Sequence, residues 1–139
     1  MPDVEMQGSP VDPGESLLRA LDVPDWWDLS VDPPRARSFA FKVNSPFSVN
    51  VASMIGLEGA VRHMTEVLHC PNGGIVSFSC GRARAVGYDA RHELDPQYPE
   101  NRAHANVYCC GSSSRRKRDA KALAEMCATV HRPRFGVES

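Results

Sequence analysis

The apolar residues of this chain come in short alternating runs cut by turn residues, and only two stretches keep helical spacing over three turns or more. Eleven prolines and ten glycines supply the cuts. That pattern gives more strands than helices, with most connections short enough for antiparallel pairing. It points to an α+β domain built on an antiparallel sheet. The apolar runs are far shorter than the roughly 20 residues a membrane helix needs, so no membrane association is expected.

Residues 38–43 place Phe39, Phe41 and Val43 on one side, and 47–51 alternate again after the Asn44-Ser45-Pro46 turn. These two runs read as a pair of strands. Leu57, Ala60, Val61, Met64 and Leu68 then follow helical spacing, which predicts a helix over 56–69 that stops before Pro71. Residues 75–80 form a strand with Val76, Phe78 and Cys80 on one face. Gly81-Arg82 fits a two-residue hairpin leading to a return strand over 83–88. Residues 89–102 are polar, hold two prolines and read as a long loop. A strand over 103–110 and a helix over 114–130 follow, the helix burying Ala120, Leu123, Ala124, Cys127 and Val130. The expected fold is ββαβββα, a sheet of about five antiparallel strands with two helices packed on one face, spanning 38–134.

Residues 1–37 read as an acidic, Pro-rich arm with 1–11 disordered. Asp12, Pro13 and Glu15 look like a helix start, and Leu17, Leu18 and Leu21 give a short helix limited by Pro24. Trp26 and Trp27 are the large apolar groups of this arm. They are expected to dock on the domain body, and they are also the candidate partner-binding residues.

Formal net charge is −1, but the charge is polarised. Residues 1–37 hold eight acidic side chains against three basic ones, and 113–134 hold seven basic against two acidic. Such asymmetry speaks about partners rather than fold. The odd count of five cysteines shows no framework spacing, so reduced thiols and a cytoplasmic location are expected. The first residues, Met-Pro-Asp-Val-Glu, lack a basic region and an apolar core, and no signal peptide is expected.

Chemistry has two candidate seats. His92, Glu93, Asp95, Arg102 and His104 fall close together in the loop and the strand after it. They could supply a general acid and base, with Arg102 near a phosphate; the reading that the residues alone favour is a solvated polar loop beside an exposed or helix-covered sheet face. The second seat is Ser112, Ser113, Ser114, Arg115, Arg116, Lys117 and Arg118, where a strand gives way to a helix. Backbone N–H groups and four consecutive bases there suit an anion. Bases at a helix N-terminus oppose the dipole, and an acidic partner or the chain's own acidic arm would compensate them. No C-x-x-C or finger spacing is present, so no metal and no cofactor are expected.

The run Pro99-Glu100-Asn101-Arg102-Ala103-His104-Ala105-Asn106-Val107, followed by a basic turn and an Ala-rich helix, resembles small uncharacterised bacterial proteins or domains of phage-defence and other conflict loci. The resemblance covers residues 75–133, rests on the Pro-x-Asn-x-Ala-His-Ala run and implies context without a catalytic role. The function expected from the sequence is a small interaction module, or a subunit of a multi-protein defence complex, with a protein partner and with nucleic acid or another polyanion as a further candidate. The alternative is a metal-independent nuclease or phosphodiesterase using the 92–104 loop.

Overall fold

The computed structural model describes residues 8–41 and 46–135. The described residues form nine strands: β1 (Ser9–Pro10), β2 (Ser16–Leu21), β3 (Trp27–Asp28), β4 (Arg35–Ala36), β5 (Phe47–Val51), β6 (Gly74–Ser79), β7 (Tyr88–His92), β8 (His104–Cys109) and β9 (Ala128–His131). The helices are α1 (Ala52–Arg62, running on into a π turn over His63–Val67), α2 (Cys80–Ala85) and α3 (Arg116–Met126). Seven strands make one sheet in the order β1-β7-β8-β5-β2-β6-β9, and every neighbouring pair is antiparallel. β3 and β4 form a separate ribbon. The α+β class and the antiparallel sheet are therefore as expected, with seven strands in place of about five.

The largest correction concerns residues 12–21, where no helix forms. Asp12 accepts the Gly14 N–H at 2.8 Å through its side chain and the Glu15 N–H at 3.0 Å through its carbonyl, which closes a turn. The chain then enters β2, which lies between β5 and β6 inside the sheet. Leu17 and Leu21 face one side and Leu18 the other, and all three are buried. A strand buried on both faces loses the apolar–polar alternation that marks a half-exposed one. Its three leucines consequently mimic helical spacing. Each contributes roughly 1.5–3 kcal/mol by burial.

The rest of the expected arm is also packed. Ser9 and Pro10 pair with His92 and Arg91, and Val11 is fully buried. Trp27 is only 2% exposed and donates its indole N–H to the Leu21 carbonyl at 3.0 Å. Gly74 lies directly beneath it: a Cβ there would stand 2.5 Å from the Trp27 ring and 2.7 Å from the His131 carbonyl. Residues 1–7 of the segment expected to be disordered lie outside the described residues.

Other boundaries shift for local reasons. Ser38–Ala40 is a 3-10 turn rather than a strand, with Phe39 70% exposed and Phe41 buried, while Val43 lies outside the described residues. Gly81 and Arg82 belong to α2 and not to a hairpin, because the Ser79 side chain caps the helix by accepting from the Arg82 N–H at 3.3 Å. The return strand starts only after Gly87, whose φ of 99° turns the chain. The last helix stops at Met126, and residues 128–131 leave it to pair with β6 along the sheet edge.

The helices do not share a face. Ala120, Leu123 and Ala124 of α3 join Leu17, Val76, Phe78, Val49 and Val107 in the main core. Ala60 of α1 and Met64 of the π turn cover Leu18 and Ile75 on the opposite side. The second face is thus apolar over β2 and β6 only.

One buried cation organises the centre. Arg19, on β2, is 5% exposed and lies over the rings of Phe47 (4.5 Å) and Trp26 (5.2 Å). Its Nε donates to the Ala40 carbonyl and its Nη1 to the Ser48 carbonyl, both at 2.9 Å. Burial drops its pKa to about 10. β2 and β5 pair only through Leu17–Val51 and Leu18–Asn50. Beyond that point the guanidinium, rather than a strand N–H, satisfies Ser48.

Deleting residues 1–34 removes β2 and Trp27, and this truncation is expected to abolish cooperative unfolding rather than to release an unchanged domain. Circular dichroism melting of the full chain against the truncated one tests it; a sharp transition in the truncated chain would contradict the central role of β2.

Candidate functional site

The face that α1 leaves open is polar. Side chains opposite each other in an antiparallel pair share a face. The register therefore gathers Ser48 and Asn50 of β5, His104, Asn106 and Tyr108 of β8, and Asp89 and Arg91 of β7. The backs of these strands, Phe47, Val49, Val51, Ala90, Ala105 and Val107, are in the main core. Alternation alone thus sets a row of polar groups on a rigid platform. The segment 93–103 crosses this platform and partly covers it, leaving His104 only 6% exposed.

Each ring nitrogen of His104 has one contact. Nδ1 lies 2.5 Å from the Glu93 carbonyl and Nε2 lies 3.1 Å from Ser48 Oγ. A carbonyl oxygen only accepts, so Nδ1 carries a proton. In the neutral ring Nε2 then holds the lone pair and accepts from the Ser48 hydroxyl. The Glu93 carboxylate is used separately: its Oε1 accepts from Tyr108 Oη at 2.5 Å and from Asn106 Nδ2 at 2.9 Å. Burial, and then the hydrogen bond and negative charge of Glu93, push the Tyr108 phenol up to about 12. Glu93 is consequently the fastener of this site, holding His104 by its backbone and β8 by its side chain.

A cavity of about 120 Å³ opens beside His104 where β2 and β5 part. His63, Asn50, Asn101, Asp95 and Tyr98 complete its polar wall. The Asn101 amide donates to Asn50 Oδ1 at 2.7 Å, which leaves the Asn50 amide protons free of that contact. His63 comes from the π turn, a wider turn than the α-helix and one that recurs at functional sites. Its ring meets the edge of Tyr98 at 5.6 Å. Burial, and then the neighbouring His104, hold the His63 pKa below its ordinary value, which favours the neutral ring. The volume suits a single small group such as a phosphoryl or carboxyl, and is well below the ~300 Å³ of a drug-sized pocket.

The predicted residues separate in space. His104 and Glu93 come together. His92 pairs with Ala105 across β7 and β8, so it faces the opposite side of the sheet from His104. Arg102 is exposed and does not line the cavity. Ser112, Ser113, Ser114, Arg115, Lys117 and Arg118 are exposed on the turn into α3, while Arg116 is half-buried with its Nε on the Gly111 carbonyl at 3.2 Å. Trp27 is taken up by the core and Trp26 is half-buried against Arg19. Among the described residues no group of three or more His, Cys, Asp or Glu side chains gathers as a metal site. No helix among the described residues is long and apolar enough to cross a membrane.

Ser48, Asn50 and His63 were not singled out from the sequence. The alternation of 47–51 does place Ser48 and Asn50 on the face away from Phe47, Val49 and Val51, but only the register with β8 brings them to His104. His63 had no signal, because a π turn shifts the facing of a helix without changing residue types.

A phenol that ionises less readily in the native chain than in the unfolded one contributes stability below pH 10, and that contribution is lost as pH rises through about 12. Buried Tyr88 is shifted upward as well, chiefly by desolvation. Denaturant unfolding between pH 9 and 12 is therefore expected to show falling stability, with a shallower fall in Tyr108→Phe; an equal slope in that variant would refute the assignment.

No family model matches the chain, and no curated protein or solved structure matches it at a significant level.

Proposed function

We propose that the chain is an acid–base enzyme that cleaves a phosphodiester, with His104 as the proton-transfer group. The observation that carries this reading is the placing of two histidines, His63 and His104, on one small polar cavity in a sheet otherwise packed for stability. His104 is shielded, fixed in tautomer and aimed at a hydroxyl. A general base must first meet that geometric requirement. His63, held toward its neutral form, offers an N–H to the oxygen on which charge develops, and the free amide protons of Asn50 offer a second donor. Glu93 orients the base instead of acting as its acidic counterpart. His92 and Arg102 stand outside this arrangement.

Hydrolysis of bis(p-nitrophenyl) phosphate and cleavage of a fluorescent single-stranded RNA test the reading. His104→Gln is expected to lower kcat/KM by ~10²-fold or more. His63→Gln should act in the same direction, on the order of 10²-fold for a lost donor, and His92→Gln should leave the rate unchanged. A folded His104→Gln variant with full activity, or a wild-type chain that cleaves neither substrate, would remove it.

A second reading is supported by the exposure of the 112–118 turn. In it the chain is a cytoplasmic bacterial interaction module, a subunit of a defence complex, that holds an acidic protein or a nucleic acid through Arg115, Lys117 and Arg118. Trp26 is then the part of the Trp pair that remains open to a partner. Reversing the charge of these three bases is expected to weaken binding to heparin or RNA and to flatten its salt dependence; binding that is unaltered at low salt would exclude the turn.

A further inference from the structure

We infer that Ser48 is the nucleophile of this site and that cleavage runs through a covalent phosphoserine ester. The inference rests on the acid–base reading of His104 and goes further by naming the atom that attacks.

Several features separate Ser48 from an ordinary surface serine. Its Oγ stands 3.1 Å from His104 Nε2, within the reach expected of a nucleophile and its base. The far side of the ring is tied to the Glu93 carbonyl, which leaves Nε2 as the nitrogen that can take the Ser48 proton. Exposure is divided as the chemistry requires, with Ser48 open to solvent and His104 covered. The backbone beneath is rigid: Phe47 and Val49 on either side are 2% exposed, and the Ser48 carbonyl is pinned by Arg19. Asn106 lies directly opposite Ser48 in the β5–β8 register, and one of its amide protons stays available after the bond to Glu93. Asn106, across the strand pair, and Asn50, two residues further along β5, thus place neutral donors on the same face as the attacking oxygen.

The step balances with water as the only co-reactant. The Ser48 hydroxyl proton passes to His104 Nε2 as Oγ forms a bond to phosphorus. The bond from phosphorus to the leaving alcohol breaks, and that alcohol takes the proton from Nε2. Water then gives a proton to Nε2 and attacks phosphorus, the Oγ–P bond breaks, and Oγ recovers its proton. One diester and one water become one monoester and one alcohol.

A fluorophosphonate probe reads this chemistry without a known substrate, because an activated serine displaces its fluoride. The expected result is one adduct per chain by intact mass, located on Ser48 by peptide mapping and absent in Ser48→Ala. Labelling in His104→Gln should slow by ~10²-fold or more, with His104→Asn used if the glutamine variant does not fold by circular dichroism. Ser48→Ala, a change at an exposed position, should also lose diester hydrolysis. The inference is overturned by an adduct elsewhere or none, by a labelling rate indifferent to His104, or by full hydrolysis in Ser48→Ala. Hydrolysis lost in His104→Gln but kept in Ser48→Ala would leave His104 as a base acting on water and remove Ser48 alone. Labelling of Ser48 in a chain that hydrolyses no diester would retain the nucleophile and remove the phosphodiesterase reading.

Discussion

A single buried guanidinium holds the middle of this protein together. Arg19 sits on a central strand among leucines, where a charge has no water to solvate it. Two carbonyls and two aromatic faces take the place of that water. Those contacts come from three separate parts of the chain: the 38–41 turn, β5 and Trp26. One side chain thereby fixes the entry of the N-terminal segment, the position of β5 and the point where β2 and β5 cease to pair. The cavity at His104 opens at that point.

The sheet divides its labour by strand. One face carries the main core under α3 and α2, with Arg19 its buried cation. The other is apolar over β2 and β6, where α1 and the π turn cover it, and polar over β5, β8 and β7. Polar groups on a platform whose reverse side is packed lose little entropy on holding a geometry. The Glu93–Tyr108–Asn106 bonds and the Asp89 pairs with Arg84 (2.7 Å) and Arg91 (3.1 Å) use that rigidity. Loop 93–103 adds the cover, the His104 tether, the Glu93 carboxylate and the cavity wall of Asp95, Tyr98 and Asn101.

Legibility followed exposure. β5 and β8 were readable because one face of each meets polar surroundings, and β6 because Ser77 and Ser79 keep its period opposite Val76 and Phe78, so the alternation survived in the sequence. The facing of His104, Asn106 and Tyr108 against Ala105 and Val107 was visible for the same reason. β2 was misread as a helix because burial on both faces erased the period. Gly81 was misread as a hairpin corner because the cap that makes α2 lies in Ser79, one residue before the helix begins. His92 looked like a partner for His104 by nearness in sequence, yet the register places it on the far face.

The sequence by itself determined the α+β class, the antiparallel character of the sheet, the polarised charge and the polar side of β8. These depend on local period and composition, which a chain carries before it folds. Only the tertiary structure decided the strand order, the opposite placement of α1 and α3, which of the two Trp side chains is fully buried, and the meeting of Ser48, His63 and His104. Those depend on register between distant segments, as in the contact of Ser48 with His104, 56 residues apart. Register between distant strands is set by the whole core at once, and no local window contains it.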